Sequence, residues 1–196
     1  MKQIISLFFF ILILSSISIG KTKTKRFPKS LYNLETNETN RLNKWNSTKN
    51  GAILVFFSTT CPICLNHIIE LDSIYNICKK NNFGMYLILP HTLYLTSKEI
   101  TKFRDSLNIK IPILVDKKNK TIDCLHVTVL PDAILFDSAY SILYNGQITN
   151  KFINLGIRKA TNISYYLEGA LNCYLQDKTI EIKNTEPIGC KIEKYK

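Results

Sequence analysis

The chain has 196 residues, of which 45% are hydrophobic and 21% are charged. This length is enough to bury one hydrophobic core and does not require a second domain. The formal net charge is +11, but the lysines are spread along the chain, so the charge gives no support for a nucleic-acid-binding protein.

The first twenty residues have the composition of a signal peptide. Lys2 precedes an almost uncharged apolar run, which fades into the small residues Ser18 and Gly20. We therefore expect residues 1–20 to be removed on export. The alternative is an uncleaved anchor, although about sixteen apolar residues are fewer than the ~20 that a spanning helix needs. Both alternatives place the remaining chain outside the cytoplasm, in the periplasm or an equivalent compartment.

Residues 21–45 are polar, contain Pro28 and show no sustained periodicity. We interpret them as an N-terminal arm, with one short helix around Arg41–Trp45. The domain proper is then predicted to occupy residues 46–192.

In the first half of that domain, apolar runs alternate with helical spacing. Continuous apolar runs predict buried strands at Ala52–Phe57 and Met85–Leu89. Apolar residues at helical spacing predict one helix from Pro62 to about Asn81. A second helix is predicted over Thr96–Leu107, with Ser97 as its cap.

The second half of the domain predicts smaller elements. A short strand at Ile111–Val115 and a helical turn at Ile122–His126 precede a hairpin of Ala133–Phe136 with Ile142–Tyr144. A last helix is predicted over Asn162–Leu175. The order of elements indicates an α/β three-layer sandwich, with a central mixed β-sheet flanked by helices.

Cys61 and Cys64 lie at the junction between the first predicted strand and the first predicted helix. Unpaired N–H groups and the positive end of the helix dipole favour a thiolate at Cys61, and Pro62 loses no hydrogen bond in the first turn. Cys61 is therefore the predicted nucleophile. Cys64, one turn further, would resolve the mixed disulfide and leave a Cys61–Cys64 bridge.

The segment Ala52–Cys64 resembles the thioredoxin superfamily, specifically its exported redoxin and TlpA-like branch, with an alkyl hydroperoxide reductase/thiol-specific antioxidant-like domain. Val127–Ala133 is similar to the segment that holds the cis-proline of this family, and Tyr144–Ile148 to its closing hairpin turn. Residues Tyr166–Cys190 are similar to the tail of one redoxin subgroup. The resemblance implies a thioredoxin-like fold, thiol–disulfide oxidoreductase activity and a cis-Pro131 that faces the active-site sulfurs.

Pro131 has no N–H to compete for the thiolate, and a cis bond would leave the Leu130 backbone free to pair with an extended substrate. We therefore expect substrate contacts at Leu130, Pro62 and Ile63. The expected partners are protein disulfides or dithiols and a membrane-bound electron donor that recharges the pair. We expect a monomer without a bound cofactor or metal.

The residues around the pair bear on the direction of exchange. Pro62-Ile63 contains no cation to stabilise a thiolate further, which favours a mild reductant. Val55 replaces the buried acid of thioredoxins. Leu54 and Ser58 replace the Pro and Thr of peroxiredoxins, so peroxide reduction is the weaker alternative.

A metal-binding module is the third hypothesis, but structural zinc needs a second Cys pair, and copper delivery uses a longer Cys spacing. His67, one turn beyond Cys64, is predicted to be a surface residue. Cys78 is predicted to be a buried thiol. The remaining cysteines are Cys124, Cys173 and Cys190. Two of them could form a structural bridge, or Cys190 could be an additional redox thiol.

Overall fold

The computed structural model describes residues 31–33, 38–40, 49–90 and 96–192. The predicted signal peptide at residues 1–20 and the predicted helix at Arg41–Trp45 lie outside these residues. Within the described ranges, no helix combines the length and apolar character needed to cross a bilayer.

The described secondary structure follows the predicted alternation of strands and helices. The strands are β1 (Leu31–Asn33), β2 (Glu38–Asn40), β3 (Gly51–Phe56), β4 (Gly84–Pro90), β5 (Ile113–Asp116), β6 (Val129–Leu130), β7 (Asp132–Asp137), β8 (Ile142–Gly146), β9 (Phe152–Asn154), β10 (Ile157–Arg158) and β11 (Cys190–Lys191). The helices are α1 (Pro62–Leu65), α2 (Ile68–Lys80), α3 (Ser97–Ser106), α4 (Lys120–Leu125) and α5 (Tyr166–Leu175).

The main sheet has the strand order β2-β1-β5-β4-β3-β7-β8. Its central pairs, β3 with β4 and β4 with β5, are parallel, whereas β7 and β8 add antiparallel strands on the other side of β3. The predicted fold class, a central mixed sheet flanked by helices, is confirmed.

Strand β3 is the centre of the hydrophobic core. All six of its residues are buried, because it lies between β4 and β7 in a sheet covered by helices. Burial of each large apolar side chain here stabilises the fold by about 1.5–3 kcal/mol. The continuous apolar run that predicted this strand is a direct consequence of that position.

The long helix predicted from Pro62 is divided in two. Helix α1 ends at Leu65, and α2 begins at Ile68 after a turn at Asn66 and His67. The Asn66 side chain donates a hydrogen bond of 2.9 Å to the Pro62 carbonyl, and the Lys151 ammonium group donates to the Asn66 carbonyl. The Asn66 side chain adds a second bond to a carbonyl that already accepts one from the Asn66 N–H. Apolar spacing carries no signal for such bonds.

Thr96, not the predicted Ser97, caps helix α3. Its hydroxyl accepts a hydrogen bond from the Glu99 backbone N–H, and the Glu99 carboxylate accepts one from the Thr96 N–H. This reciprocal capping box satisfies two N–H groups, whereas Ser97 is already the first helical residue.

Part of the predicted N-terminal arm belongs to the sheet. Strands β1 and β2 form an antiparallel pair, and β1 also pairs with β5 at Tyr32↔Val115 and Asn33↔Leu114. Each of these strands has three residues, which is too short for a two-residue period to be recognised in a polar segment.

Candidate active site

Cys61 lies at the start of α1, as the sequence predicted. It occupies the N-cap position with extended backbone angles of φ −82° and ψ 116°, and Pro62 follows as the first helical residue. The Cys61 carbonyl accepts a hydrogen bond of 3.1 Å from the Leu65 N–H. The side chain is only 2% exposed.

Cys61 forms a disulfide with Cys190, so the predicted Cys61–Cys64 bridge is not the one formed here, and it stays a prediction. The two bonded residues are 129 positions apart in the sequence, and their Cα atoms are 6.1 Å apart. Cys64 is a free and fully buried thiol. The C-terminal tail brings Cys190 to Cys61, and helical spacing alone could not indicate this long-range contact.

The tail reaches Cys61 as a short strand. Strand β11 pairs antiparallel with β6, with Cys190 opposite Leu130 and Lys191 opposite Val129. The Ile192 N–H donates a further hydrogen bond of 3.1 Å to the Thr128 carbonyl. The backbone edge at which we expected an extended substrate is therefore occupied by the chain's own tail.

Cys64 is in a different environment from Cys61. Its sulfur lies in the core and accepts a hydrogen bond of 3.4 Å from the Ser58 N–H. Burial raises the pKa of the Cys64 thiol to about 12, and the Ser58 hydrogen bond opposes this only in part. At neutral pH Cys64 therefore carries its proton, which makes it a poor nucleophile.

The Leu130–Pro131 peptide bond is cis. Pro131 is buried and connects β6 to β7, and the next residue, Asp132, pairs with Phe56 at the end of β3. The Cys61 sulfur lies 3.4 Å from the Leu130 carbonyl oxygen, so this loop contacts the reactive cysteine directly.

The residues predicted to contact substrate differ in exposure. Pro62 is exposed, whereas Ile63 and Leu130 are buried while the tail is in place.

His67 is buried, so its predicted surface position is wrong. Its side chain is 3% exposed, and its Nδ1 atom lies 3.9 Å from Glu70 Oε2. Burial, together with the charges of Lys151 and Arg158, lowers the pKa of His67 to about 3. His67 is therefore neutral, and Lys151 is the cation that pairs with Glu70, at 2.6 Å.

This buried cluster adjoins the cis-proline loop. His67 and Pro131 line one small cavity together with Gln147, Ile148, Thr149, Phe152 and Ile188. No local pattern predicts Lys151 at this place, because it lies 81 residues after Glu70 in the chain.

Asp132 is a buried carboxyl group that sequence reasoning missed. It follows Pro131 directly, is 4% exposed, and its Oδ1 atom accepts no hydrogen bond from the residues that the structure describes. Burial raises its pKa to about 7. Val55, which replaces the buried acid of thioredoxins, pairs with Ala133, so this chain places a carboxyl one residue away on the neighbouring strand.

The other cysteines are not disulfide-bonded. Cys78 is buried, as predicted, and Cys124 and Cys173 are partly buried. None of these three forms a structural bridge. In the part of the chain that the structure describes, no group of three or more His, Cys, Asp or Glu residues is arranged to hold a metal ion.

The model of the AhpC/TSA family matches residues 24–145 of this chain. This chain is also similar to two relatives named thiol-disulfide oxidoreductase ResA, one from Halalkalibacterium halodurans and one from Geobacillus kaustophilus. They are each 25% identical, over 105 and 118 residues, which are 53% and 60% of this chain. The chain spans 58% and 62% of their lengths.

Solved structures resemble this fold over most of the chain. The crystal structure of an uncharacterized conserved protein from Geobacillus kaustophilus matches with a TM-score of 0.75 at 20% identity. The match covers 86% of this chain and 89% of the other. At this identity the likeness concerns the fold.

Proposed function

Because this chain belongs to the AhpC/TSA family, we propose that it is a thiol–disulfide oxidoreductase that exchanges disulfides with protein partners through Cys61. The observation that carries the proposal is the position of Cys61, a helix N-cap beside a cis-proline loop, where it already forms a disulfide. The similarity to two ResA proteins supports the same class of reaction.

The first chemical step is attack by the Cys61 thiolate on a partner disulfide. The bond between Cys61 and one partner sulfur forms, the partner's disulfide breaks, and its second sulfur leaves as a thiolate that takes a proton from water. The thiolate form of Cys61, and not its thiol, is the attacking nucleophile. A second thiol of this chain then displaces the partner, which leaves with both of its sulfurs reduced.

We further propose that the protein acts outside the cytoplasm as a reductant, which a membrane-bound dithiol donor recharges. The signal-peptide composition of residues 1–20 supports export. The direction is supported by Pro62 and Ile63, which carry no positive charge. A nearby cation would stabilise the thiolate of the reduced form and so make the protein a strong oxidant, and these two residues provide none.

A trapping experiment tests this function. We expect the reduced double variant Cys64→Ser, Cys190→Ser to accumulate a mixed disulfide with insulin. Both thiols that could displace the partner from Cys61 are absent from this variant. Mass spectrometry under non-reducing conditions should locate the adduct on Cys61. Adding Cys61→Ser should abolish it, whereas adding Cys173→Ser, which removes a partly buried free thiol, should not. No adduct, or an adduct on another cysteine, would contradict the proposal.

The direction of exchange needs a separate measurement. Equilibration of the wild-type protein with mixtures of reduced and oxidised glutathione should leave it oxidised in mixtures where glutathione is mostly reduced, as a reductant requires. A protein that stays reduced until glutathione disulfide predominates would instead be an oxidant.

A further inference from the structure

We propose that Cys190 is the thiol that displaces the partner from Cys61, and that strand β11 and the partner protein occupy the same backbone edge of β6 in turn. This inference rests on the proposed function and assigns a second catalytic residue to it. It starts from two observations, the Cys61–Cys190 disulfide and the antiparallel pairing of β11 with β6.

The tail is fixed to the domain just before it reaches the active site. Thr185 accepts a hydrogen bond of 2.8 Å from the Gln147 N–H, and its own N–H donates to the Asn145 carbonyl at 3.0 Å. The Gln147 side chain also donates to the Glu186 carbonyl at 2.6 Å. These bonds do not involve the disulfide, so reduction of Cys190 leaves them in place.

A short segment connects this anchor to Cys190. From Glu186 to Cys190 the chain advances four residues, so Cys190 stays within about 14 Å of the anchor. A thiol tethered so closely has an effective concentration of about millimolar or more at Cys61. Cys190 can therefore leave the active site and return to it faster than a dilute external thiol can arrive.

Gly189 is fitted to the cis-proline loop. A Cβ atom at position 189 would overlap the Leu130 carbonyl and contact the Pro131 nitrogen. The absence of a side chain lets the tail backbone lie directly against the loop and brings Cys190 opposite Leu130. This close approach indicates that the tail is built to occupy the edge of β6.

The tail also covers the nucleophile. Cys61 is 2% exposed with β11 in place, so a protein partner can reach its sulfur only after β11 leaves β6. Strand β11 has two residues, and Lys191 is exposed to solvent, so this pairing can open without unfolding the domain. The partner that takes its place is expected to be an extended segment carrying a cysteine, which pairs with β6 as the tail does.

The electron balance of the cycle is complete with these residues. The partner disulfide is the oxidant: Cys61 attacks it and releases one partner thiol. The Cys190 thiol loses its proton and attacks the Cys61 sulfur, forming the Cys61–Cys190 bond and releasing the second partner thiol. An external dithiol donor then reduces the Cys61–Cys190 bond. Cys64 remains protonated in the core throughout, consistent with its raised pKa.

A single-turnover experiment separates Cys190 from Cys64. Reduced proteins are mixed with oxidised glutathione, quenched in acid and analysed by mass spectrometry. We expect Cys64→Ser to form the Cys61–Cys190 bond at the wild-type rate. We expect Cys190→Ser to accumulate the Cys61–glutathione adduct with a lifetime at least about tenfold longer, because the remaining buried thiol is almost entirely protonated. The Cys173→Ser variant should behave as the wild type.

The outcomes distinguish this inference from the proposed function. If Cys64→Ser accumulates the adduct and Cys190→Ser does not, Cys64 is the resolving thiol and the inference is overturned, although Cys61 still acts as the nucleophile. If the Cys64→Ser, Cys190→Ser double variant forms no adduct on Cys61, the proposed function itself fails.

A second pair of variants tests the strand exchange. Gly189→Ala should slow formation of the Cys61–Cys190 bond by about tenfold, because the added methyl group prevents close pairing with β6 and so lowers the effective concentration of Cys190. Formation of the Cys61–glutathione adduct should not slow. Gly169→Ala is the matched control, because a Cβ there meets no atom within 4 Å. Bond formation at the wild-type rate in Gly189→Ala would overturn the role of β11.

Discussion

The two sides of Cys61 are built in different ways. On one side, Cys64 and His67 are buried, and Lys151 pairs with Glu70 inside the fold. On the other side, the sulfur of Cys190 is carried by a two-residue strand at the end of the chain. Only the second side can withdraw from Cys61 without disturbing the core.

This difference indicates which sulfur takes part in exchange. A thiol that must attack, form a bond and later be released needs both access and freedom to move. Cys64 has neither, since it is fully buried and bonded to the Ser58 N–H, whereas Cys190 is tethered to an anchor at Thr185. The spacing of Cys61 and Cys64 in the sequence carries no information on whether the Cys64 thiol is accessible or free to move.

The substitution with the largest expected effect tests how strongly the Lys151–Glu70 pair stabilises the interior side of Cys61. Lys151→Met should lower the free energy of unfolding by about 3 kcal/mol, because the Glu70 carboxylate would lose its buried cation. Urea unfolding of the reduced protein measures this loss. Lys178→Met, at an exposed lysine, should change it by no more than about 0.5 kcal/mol. Equal effects of the two substitutions would contradict the comparison of the two sides.

Asp132 gives the interior side a dependence on pH. Its pKa is raised to about 7 from an ordinary 3.8, so the folded state favours the protonated carboxyl. The stability that this confers is complete below pH 3.8 and is lost as the pH rises through 7. Asp132→Asn should therefore gain about 2 kcal/mol of unfolding free energy relative to the wild type between pH 5 and pH 7. Urea unfolding at both pH values measures the gain.

The control for this measurement is Asp177→Asn. Asp177 is exposed and has a left-handed backbone conformation, which asparagine also adopts. Its stability relative to the wild type should not change with pH over the same interval. If Asp132→Asn behaves in the same way, the buried carboxyl is already ionised in the folded protein.

His67 should produce the opposite slope in the same interval. Its pKa is lowered to about 3 from 6.5, so the folded state favours the neutral ring and stability is lost as the pH falls below 6.5. Between pH 7 and pH 5 this loss amounts to about 2 kcal/mol, which His67→Gln should remove. His126→Asn, at an exposed histidine, serves as the control in urea unfolding. A wild type and a His67→Gln variant with parallel pH profiles would show that the ring is accessible to protons.

Much of the fold followed from local pattern. The buried run at β3, the periodicity of α2 and the hairpin of β7 and β8 each reflect side chains within a few residues of one another. The position of Cys61 at a helix start could be predicted for the same reason. The exact ends of the helices could not be predicted, because they depend on individual side-chain hydrogen bonds of Thr96 and Asn66.

The rest of the candidate site depends on contacts between distant segments. Cys190 lies 129 residues from Cys61, and Lys151 lies 81 residues from Glu70. Nothing local marks Lys151, because a lysine is ordinarily a surface residue. One signal was available for the tail: a glycine directly before a cysteine permits close approach of the backbone, and Gly189 has this role.

The smallest predicted effect concerns the anchor of the tail. Thr185→Val should lower the unfolding free energy of the reduced protein by about 1 kcal/mol, because the Gln147 N–H loses its acceptor and the Tyr144 hydroxyl loses a partner. The Gln147 amide should also exchange with deuterium faster, and closure of the Cys61–Cys190 bond should slow by about two- to threefold as the tether loosens. Thr179→Val, at an exposed threonine of the same tail, is the matched control. If the two valine variants close the bond at equal rates, the tail is held at Cys61 by its last residues alone and the anchor plays no part in returning Cys190.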